Sequence, residues 1–79
     1  TSERLKMVER AEEYLKDGGL SEVRVRCQGS TARIEIPKDE FNHFFNKYNF
    51  IELVQYFSNL GFNCTSLDLE GLVSGKLNR

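Results

Sequence analysis

Three arginines, Arg24, Arg26 and Arg33, are the residues of this chain best placed by type and spacing to do chemistry. A guanidinium is a planar fork of N–H donors that matches phosphate and carboxylate oxygens two at a time. Arg24 and Arg26 stand two apart in Val23-Arg24-Val25-Arg26-Cys27, and Arg33 stands in Ala32-Arg33-Ile34-Glu35-Ile36. Both runs alternate apolar with charged, the period of a half-buried strand. Gly29-Ser30 between them predicts a hairpin over roughly residues 22–36. Val23 then faces Ile36, Val25 faces Ile34, and Cys27 faces Ala32. On the other side Arg24 lies across from Glu35, and Arg26 across from Arg33. Two opposed guanidiniums repel, so the arrangement points to a use, and anion binding suits it best. A solvated face in which Arg24 pairs with Glu35 is the competing reading.

Other chemistry is thinly represented. No glycine-rich phosphate loop precedes a helix, and neither a Ser/His/Asp motif nor HExxH is present. One histidine, His43, and two distant cysteines, Cys27 and Cys64, fit no zinc spacing and no disulfide framework. The reading therefore assigns no catalytic residue and no metal ligand, and takes both cysteines as reduced thiols. Glu12 reads as a carboxylate at the buried edge of a helix.

The elements that must position the arginines follow from periodicity. Residues 3 to 16 predict a helix with Ser2 as N-cap, an apolar stripe of Leu5, Val8, Ala11 and Leu15, and Gly18-Gly19 as its stop. Pro37 ends the second strand. A short helix with Phe41, Phe44, Phe45 and Tyr48 follows, then a second helical stretch with Phe50, Leu53, Val54, Phe57 and Leu60, closed by Gly61. These aromatic stripes read as core. A third strand is expected from Asn63 to Leu69, burying Thr65, Leu67 and Leu69 and turning Cys64, Ser66 and Asp68 outward. The order is α-β-β-α-β: an α+β two-layer sandwich, with a small three-stranded mixed sheet and helices on one face. The last strand returns parallel after a right-handed crossover. Residues 70–79 read as a loop over the sheet edge.

Seventy-nine residues make one domain with a small core. Apolar content of 39% and charged content of 29% are those of a globular domain. The net charge of −1 leaves any basic function local. Base-stacking aromatics are missing from the expected sheet face, which disfavours a nucleic-acid partner. No apolar run approaches the roughly 20 residues of a membrane span. The chain shows no leader pattern and begins at Thr1, so it reads as processed or excised from a cytoplasmic protein.

Ala11-Glu12, Val23-Arg24-Val25-Arg26, Ala32-Arg33-Ile34-Glu35-Ile36, Leu60-Gly61-Phe62 and Leu67-Asp68-Leu69-Glu70-Gly71 together resemble the C-terminal domain of the LarE family. These are ATP-dependent sacrificial sulfur transferases of the PP-loop ATP pyrophosphatase superfamily. The resemblance spans nearly the whole chain. It implies residues 1–79 are an accessory domain whose partner is an N-terminal PP-loop domain of the same protein. That domain would bind ATP and Mg and adenylate a substrate carboxylate, and a cysteine near the junction would supply sulfur to a pyridinium dicarboxylate mononucleotide. This chain has no SGGxDS loop and no cysteine before its first helix, so by this reading it binds no cofactor and catalyses nothing alone. The resemblance carries phosphate or anion binding onto Arg24 and Arg26, and Glu12 matches a helix carboxylate associated with the family's site. Arg33, Glu35 and Asp68 read as supporting residues on the same face, with a structural charge network that orients the pair as the alternative for Arg33 and Asp68. It implies a phosphate-bearing small molecule as ligand and an interface with another domain or a second copy. The chain departs from the family at Val73, where an arginine is usual, at Lys76, and at Cys27, where histidine is frequent. A free-standing anion-binding or protein-interaction module is the alternative.

Overall fold

A computed structural model describes residues 2–73. Its elements are α1 (Ser2–Asp17), β1 (Arg24–Gln28), β2 (Thr31–Glu35), a 3-10 turn (Lys38–Glu40), α2 (Phe41–Lys47), α3 (Phe50–Leu60) and β3 (Cys64–Leu67). The fold is the expected α+β arrangement. Its crossover contains the two expected helical stretches, separated where Tyr48-Asn49 is extended, and preceded by the 3-10 turn.

The sheet order is β1-β2-β3, with β1 antiparallel and β3 parallel to β2. The hairpin register is as the alternation predicts: Val25 pairs with Ile34, Arg26 with Arg33, and Cys27 with Ala32. Gln28 and Thr31 close a two-residue turn. Gly29 has φ +60° and Ser30 is not in the positive region, the requirement of a type II′ hairpin turn, which takes glycine first.

The core lies between the sheet and the helices. Ala11, Leu15, Val25, Ala32, Ile34, Ile36, Phe44, Leu53, Phe57 and Phe62 are buried there. Helix α1 packs on β1, and α3 on β3. Helix α3 begins at Asn49, whose Oδ1 accepts from the Glu52 amide at 3.1 Å. It ends in paired bonds, Phe62 N–H to Phe57 C=O and Gly61 N–H to Ser58 C=O, the Schellman pattern with glycine at positive φ.

The 3-10 turn and α2 hold the end of α1. Helix α1 leaves its last carbonyls without intrahelical donors. Tyr48 donates its hydroxyl to the Leu15 carbonyl, and His43 Nε2 donates to the Gly18 carbonyl at 2.8 Å. Glu40 accepts from both the amide and the hydroxyl of Ser21. These bonds from Ser21 hold the Glu40 carboxyl below its ordinary value, and burial raises the Tyr48 hydroxyl above its own.

Several expectations fail, and the exposed apolar residues among them reflect a small domain that cannot cover every apolar side chain. Leu5, near the start of α1, is 66% exposed. Ser2 is already helical rather than a cap. Strand β3 stops at Leu67, and Leu69 turns out to solvent, since Asp68 to Glu70 form a turn instead of continuing the ladder. Phe45, Phe50 and Val54 are each about half exposed.

Candidate functional site

Alternation along β1 and β2 puts Arg24, Arg26, Arg33 and Glu35 on the sheet face away from the helices, and β3 delivers Asp68 to the same face. The structure brings five of the six expected site residues together. It also sorts them into two groups that the alternation alone does not separate.

The first group is buried. Glu35 is only 2% exposed and Asp68 9%. Arg33 Nη2 lies 3.1 Å from Glu35 Oε2, and Arg33 Nε lies 3.8 Å from Asp68 Oδ2. Arg33 Nη1 donates to Gln28 Oε1 at 3.1 Å. Asp68 Oδ1 accepts from the Glu70 amide at 2.9 Å, and the Asp68 amide donates to the Ile34 carbonyl. Arg33 is thereby tied to three side chains at once. The expected Arg24–Glu35 pairing does not form. Although Arg24 and Glu35 face each other in register, Glu35 turns along the strands to Arg33 and to Arg26, whose Nε lies 3.5 Å from its Oε1. Glu35 thus sits between the two opposed guanidiniums and offsets their repulsion.

These buried contacts are charge pairs more than hydrogen bonds. Arg26 Nε, Arg33 Nε, Arg33 Nη2 and Glu35 Oε2 are all buried and lack an aligned hydrogen bond. Removing groups from water is costly unless charge is compensated, and here two guanidiniums and two carboxylates compensate one another.

The second group is open. Arg24 is exposed, and among the described residues its guanidinium makes no ion pair or hydrogen bond. Arg26 is intermediate, with 29% of its side chain exposed, and meets Glu35 only through Nε.

Glu12 stands apart from this cluster. Its Oε2 accepts the Val25 amide at 3.0 Å, joining α1 to the outer edge of β1. Its place near the buried edge of the helix was legible in the sequence, but the strand amide it serves was not. Val73 is exposed, while Lys76 and the rest of the departing tail lie outside the described residues. Cys27 is partly buried and Cys64 exposed, both as free thiols. Among the described residues no group of three or more His, Cys, Asp or Glu side chains could hold a metal ion, and no helix is long and apolar enough to cross a membrane.

No family model matches the chain. Two curated proteins do. Pyridinium-3,5-bisthiocarboxylic acid mononucleotide synthase of Lactiplantibacillus plantarum is 36% identical over 80 residues, covering 99% of this chain and 28% of that enzyme. This chain is related to a segment of a LarE-family enzyme. A Synechocystis protein described as uncharacterized protein slr1717 is 49% identical over 79 residues, which is 100% of this chain and 30% of that protein. The LarE-related chain therefore spans less than a third of the length of either relative.

Proposed function

We propose that this LarE-related chain is an accessory domain of an ATP-dependent sulfur transferase of the PP-loop type, and that its sheet face presents Arg24 and Arg26 to an anionic substrate group. The observation that carries the proposal is the division among the arginines. Arg33 is committed to Glu35 and Asp68, whereas Arg24 is exposed and its guanidinium makes no ion pair among the described residues, and Arg26 is 29% exposed and meets Glu35 through Nε. The 36% identity to a mononucleotide synthase supplies the chemical class, since a mononucleotide carries a phosphate. Forked N–H groups fixed on a rigid strand hold such a phosphate, or a pyridine carboxylate, by charge-assisted hydrogen bonds.

In this reading ATP and Mg belong to a PP-loop domain preceding this one, which activates a carboxylate for sulfur transfer. The domain described here orients the anion and provides a surface for another domain or a second copy. It performs no chemical step itself.

The test is an NMR titration of the chain with AMP, pyrophosphate and a pyridine dicarboxylate, repeated for Arg24→Ala. Shifts confined to Arg24, Arg26 and their neighbours, reduced about tenfold or more in apparent affinity by Arg24→Ala, match the loss of one charge-assisted contact of about 1.5–3 kcal/mol. Equal affinity in the variant, or shifts centred away from this face, would refute the anion site.

A further inference from the structure

The helix layer carries a cleft of its own, whereas Arg24 and Arg26 lie on the far face of the sheet. The first turns of α1 lie beside the last turn of α3. Between them the protein opens about 300 Å³, lined by Glu3, Lys6, Met7, Arg10, Asn59 and Leu60. That volume is at the lower end of the range for small-molecule pockets.

The floor of the cleft is apolar. Met7 and Leu60 are partly buried and pack against the core. Gly61, which ends α3, makes room for the methionine: a Cβ there would stand 3.1 Å from Met7 Cε and 3.3 Å from its Sδ. An unbranched thioether adapts to an irregular apolar ligand.

The rim is rich in donors. Lys6 and Arg10 stand four residues apart on α1, so they share one face, and like charges at this spacing work against the helix. Both are exposed, and among the described residues neither makes an ion pair or a side-chain hydrogen bond. A cation beside a helix C-terminus can serve the dipole, but the Phe57 and Ser58 carbonyls of α3 already accept from the Gly61 and Phe62 amides. Asn59 Oδ1 accepts from Gln55 Nε2 at 3.2 Å, which leaves Asn59 Nδ2 to donate. Glu3 is the one carboxylate of the lining, against two cations.

We propose that this cleft binds a small monocarboxylic acid with a short aliphatic body. Arg10 meets the carboxylate with its fork of N–H groups, and Lys6 adds a point charge. The aliphatic body lies on Met7 and Leu60. Glu3 lowers the net charge of the cleft to a single positive unit, which favours a monoanion over a phosphate dianion. The site is independent of Arg24 and Arg26 and does not rest on the reading given for them.

The experiment is an NMR titration of the 79-residue chain with hexanoate at neutral pH and constant ionic strength. Acetate supplies the head alone, 1-hexanol the body alone, and inorganic phosphate the competing anion. The titration is repeated on Lys6→Gln and Arg10→Gln, and on Lys16→Gln, an exposed lysine of α1 outside the cleft. Circular dichroism checks the fold. Hexanoate should shift the Met7 and Leu60 methyls and the Asn59 side-chain amide, with a dissociation constant of about 1 mM. The other three probes should bind there at least about tenfold more weakly, and Lys6→Gln and Arg10→Gln should each lose about tenfold, the weight of one charge-assisted contact. Lys16→Gln should bind as the wild type does. No shift at these signals up to about 50 mM hexanoate overturns the proposal. So does acetate, hexanol or phosphate binding as well as hexanoate, or Lys16→Gln losing as much as the cleft variants. Hexanoate shifts confined to Arg24, Arg26 and their neighbours would overturn the cleft while leaving the anion site of the sheet face standing.

Discussion

Replacing Glu35 with glutamine removes the carboxylate that Arg26 and Arg33 share across adjacent strands. The side chain of Glu35 is 3% exposed and that of Arg33 15%, with 3.1 Å between their charged atoms. Removing one partner of a buried pair costs about 3–5 kcal/mol when the other charge is left uncompensated; Arg33 keeps Asp68 at 3.8 Å, which places the loss at the lower end of that range. The Arg26 contact adds little, since Arg26 is 29% exposed at 3.5 Å and partly solvated. A domain of this size has a total stability of about 4–12 kcal/mol, so Glu35→Gln should remove a large fraction of it. At about 4–8 °C per kcal/mol for a chain of this length, the melting temperature falls by at least about 12 °C. Thermal and urea unfolding followed by circular dichroism measure the effect, with Arg24→Ala as control. Arg24 is exposed and touches no counter-charge among the described residues, so its removal should stay within about 0.5 kcal/mol. The Glu35→Gln deficit should persist in about 1 M salt, where exposed charges are screened within about 3 Å. A Glu35→Gln protein that melts within about 2 °C of wild type, or one restored by salt, would show that Glu35 lies on a wet surface and that the proposed division of the arginines is wrong.

Two further outcomes follow from the helices. The Ser21 hydrogen bonds favour ionised Glu40, so its folded pKa lies below the ordinary 4.5; this contribution to stability is present above 4.5 and is lost as pH falls through the folded value. Glu40→Gln should therefore flatten the acid side of the stability–pH curve measured by urea unfolding, and an unchanged slope would rule out the Ser21–Glu40 clasp as its source. Asn49→Ala removes the cap of α3 and should cost about 1 kcal/mol, or about 4–8 °C. Asn49→Asp should recover most of it, and equal losses in both variants would show that the Asn49–Glu52 bond is not what matters.

The hairpin was fully legible because three signals agree: two alternating runs, a glycine at the turn and a proline after the second strand. Alternation fixes faces, so the cluster of Arg24, Arg26, Arg33, Glu35 and Asp68 could be foreseen. It does not report how deep each residue lies. Glu35 and Arg24 occupy paired positions with equal claims to solvent, yet one is buried and the other exposed. That depends on how the turn after β3 returns along β2, with Asp68 bonded to Ile34 and Leu72 to Ile36, a long-range event with no local signature. The aromatic stripes of α2 and α3 are core at Phe44, Leu53 and Phe57 but about half exposed at Phe45, Phe50 and Val54, for a related reason. Helical spacing marks an apolar face, and it does not show whether the domain's own sheet is wide enough to cover it. With β3 only four residues long, it is not. The bonds by which His43 and Tyr48 hold the end of α1 had no local signature, although the helical spacing of Tyr48 placed it correctly against the core.

The burial of Glu35 has a consequence for where an anion can bind. An anion approaching Arg33 competes with two buried carboxylates that are already neutralised, and displacing either one leaves a charge inside the protein. The same anion approaching Arg24 displaces only water. Arg26 stands between these cases: Nε is anchored toward Glu35, which restrains the direction of the guanidinium, while the outer nitrogens remain available. A guanidinium restrained in this way loses less side-chain freedom on binding than one at the end of an unrestrained chain. On the proposed anion reading, the buried network steadies Arg26 without touching the ligand. The face consists of two carboxylates, Glu35 and Asp68, balanced by Arg33 and Arg26, with Arg24 as the outward cation beside them, and on that reading its affinity depends on how firmly Glu35 holds Arg26 in place.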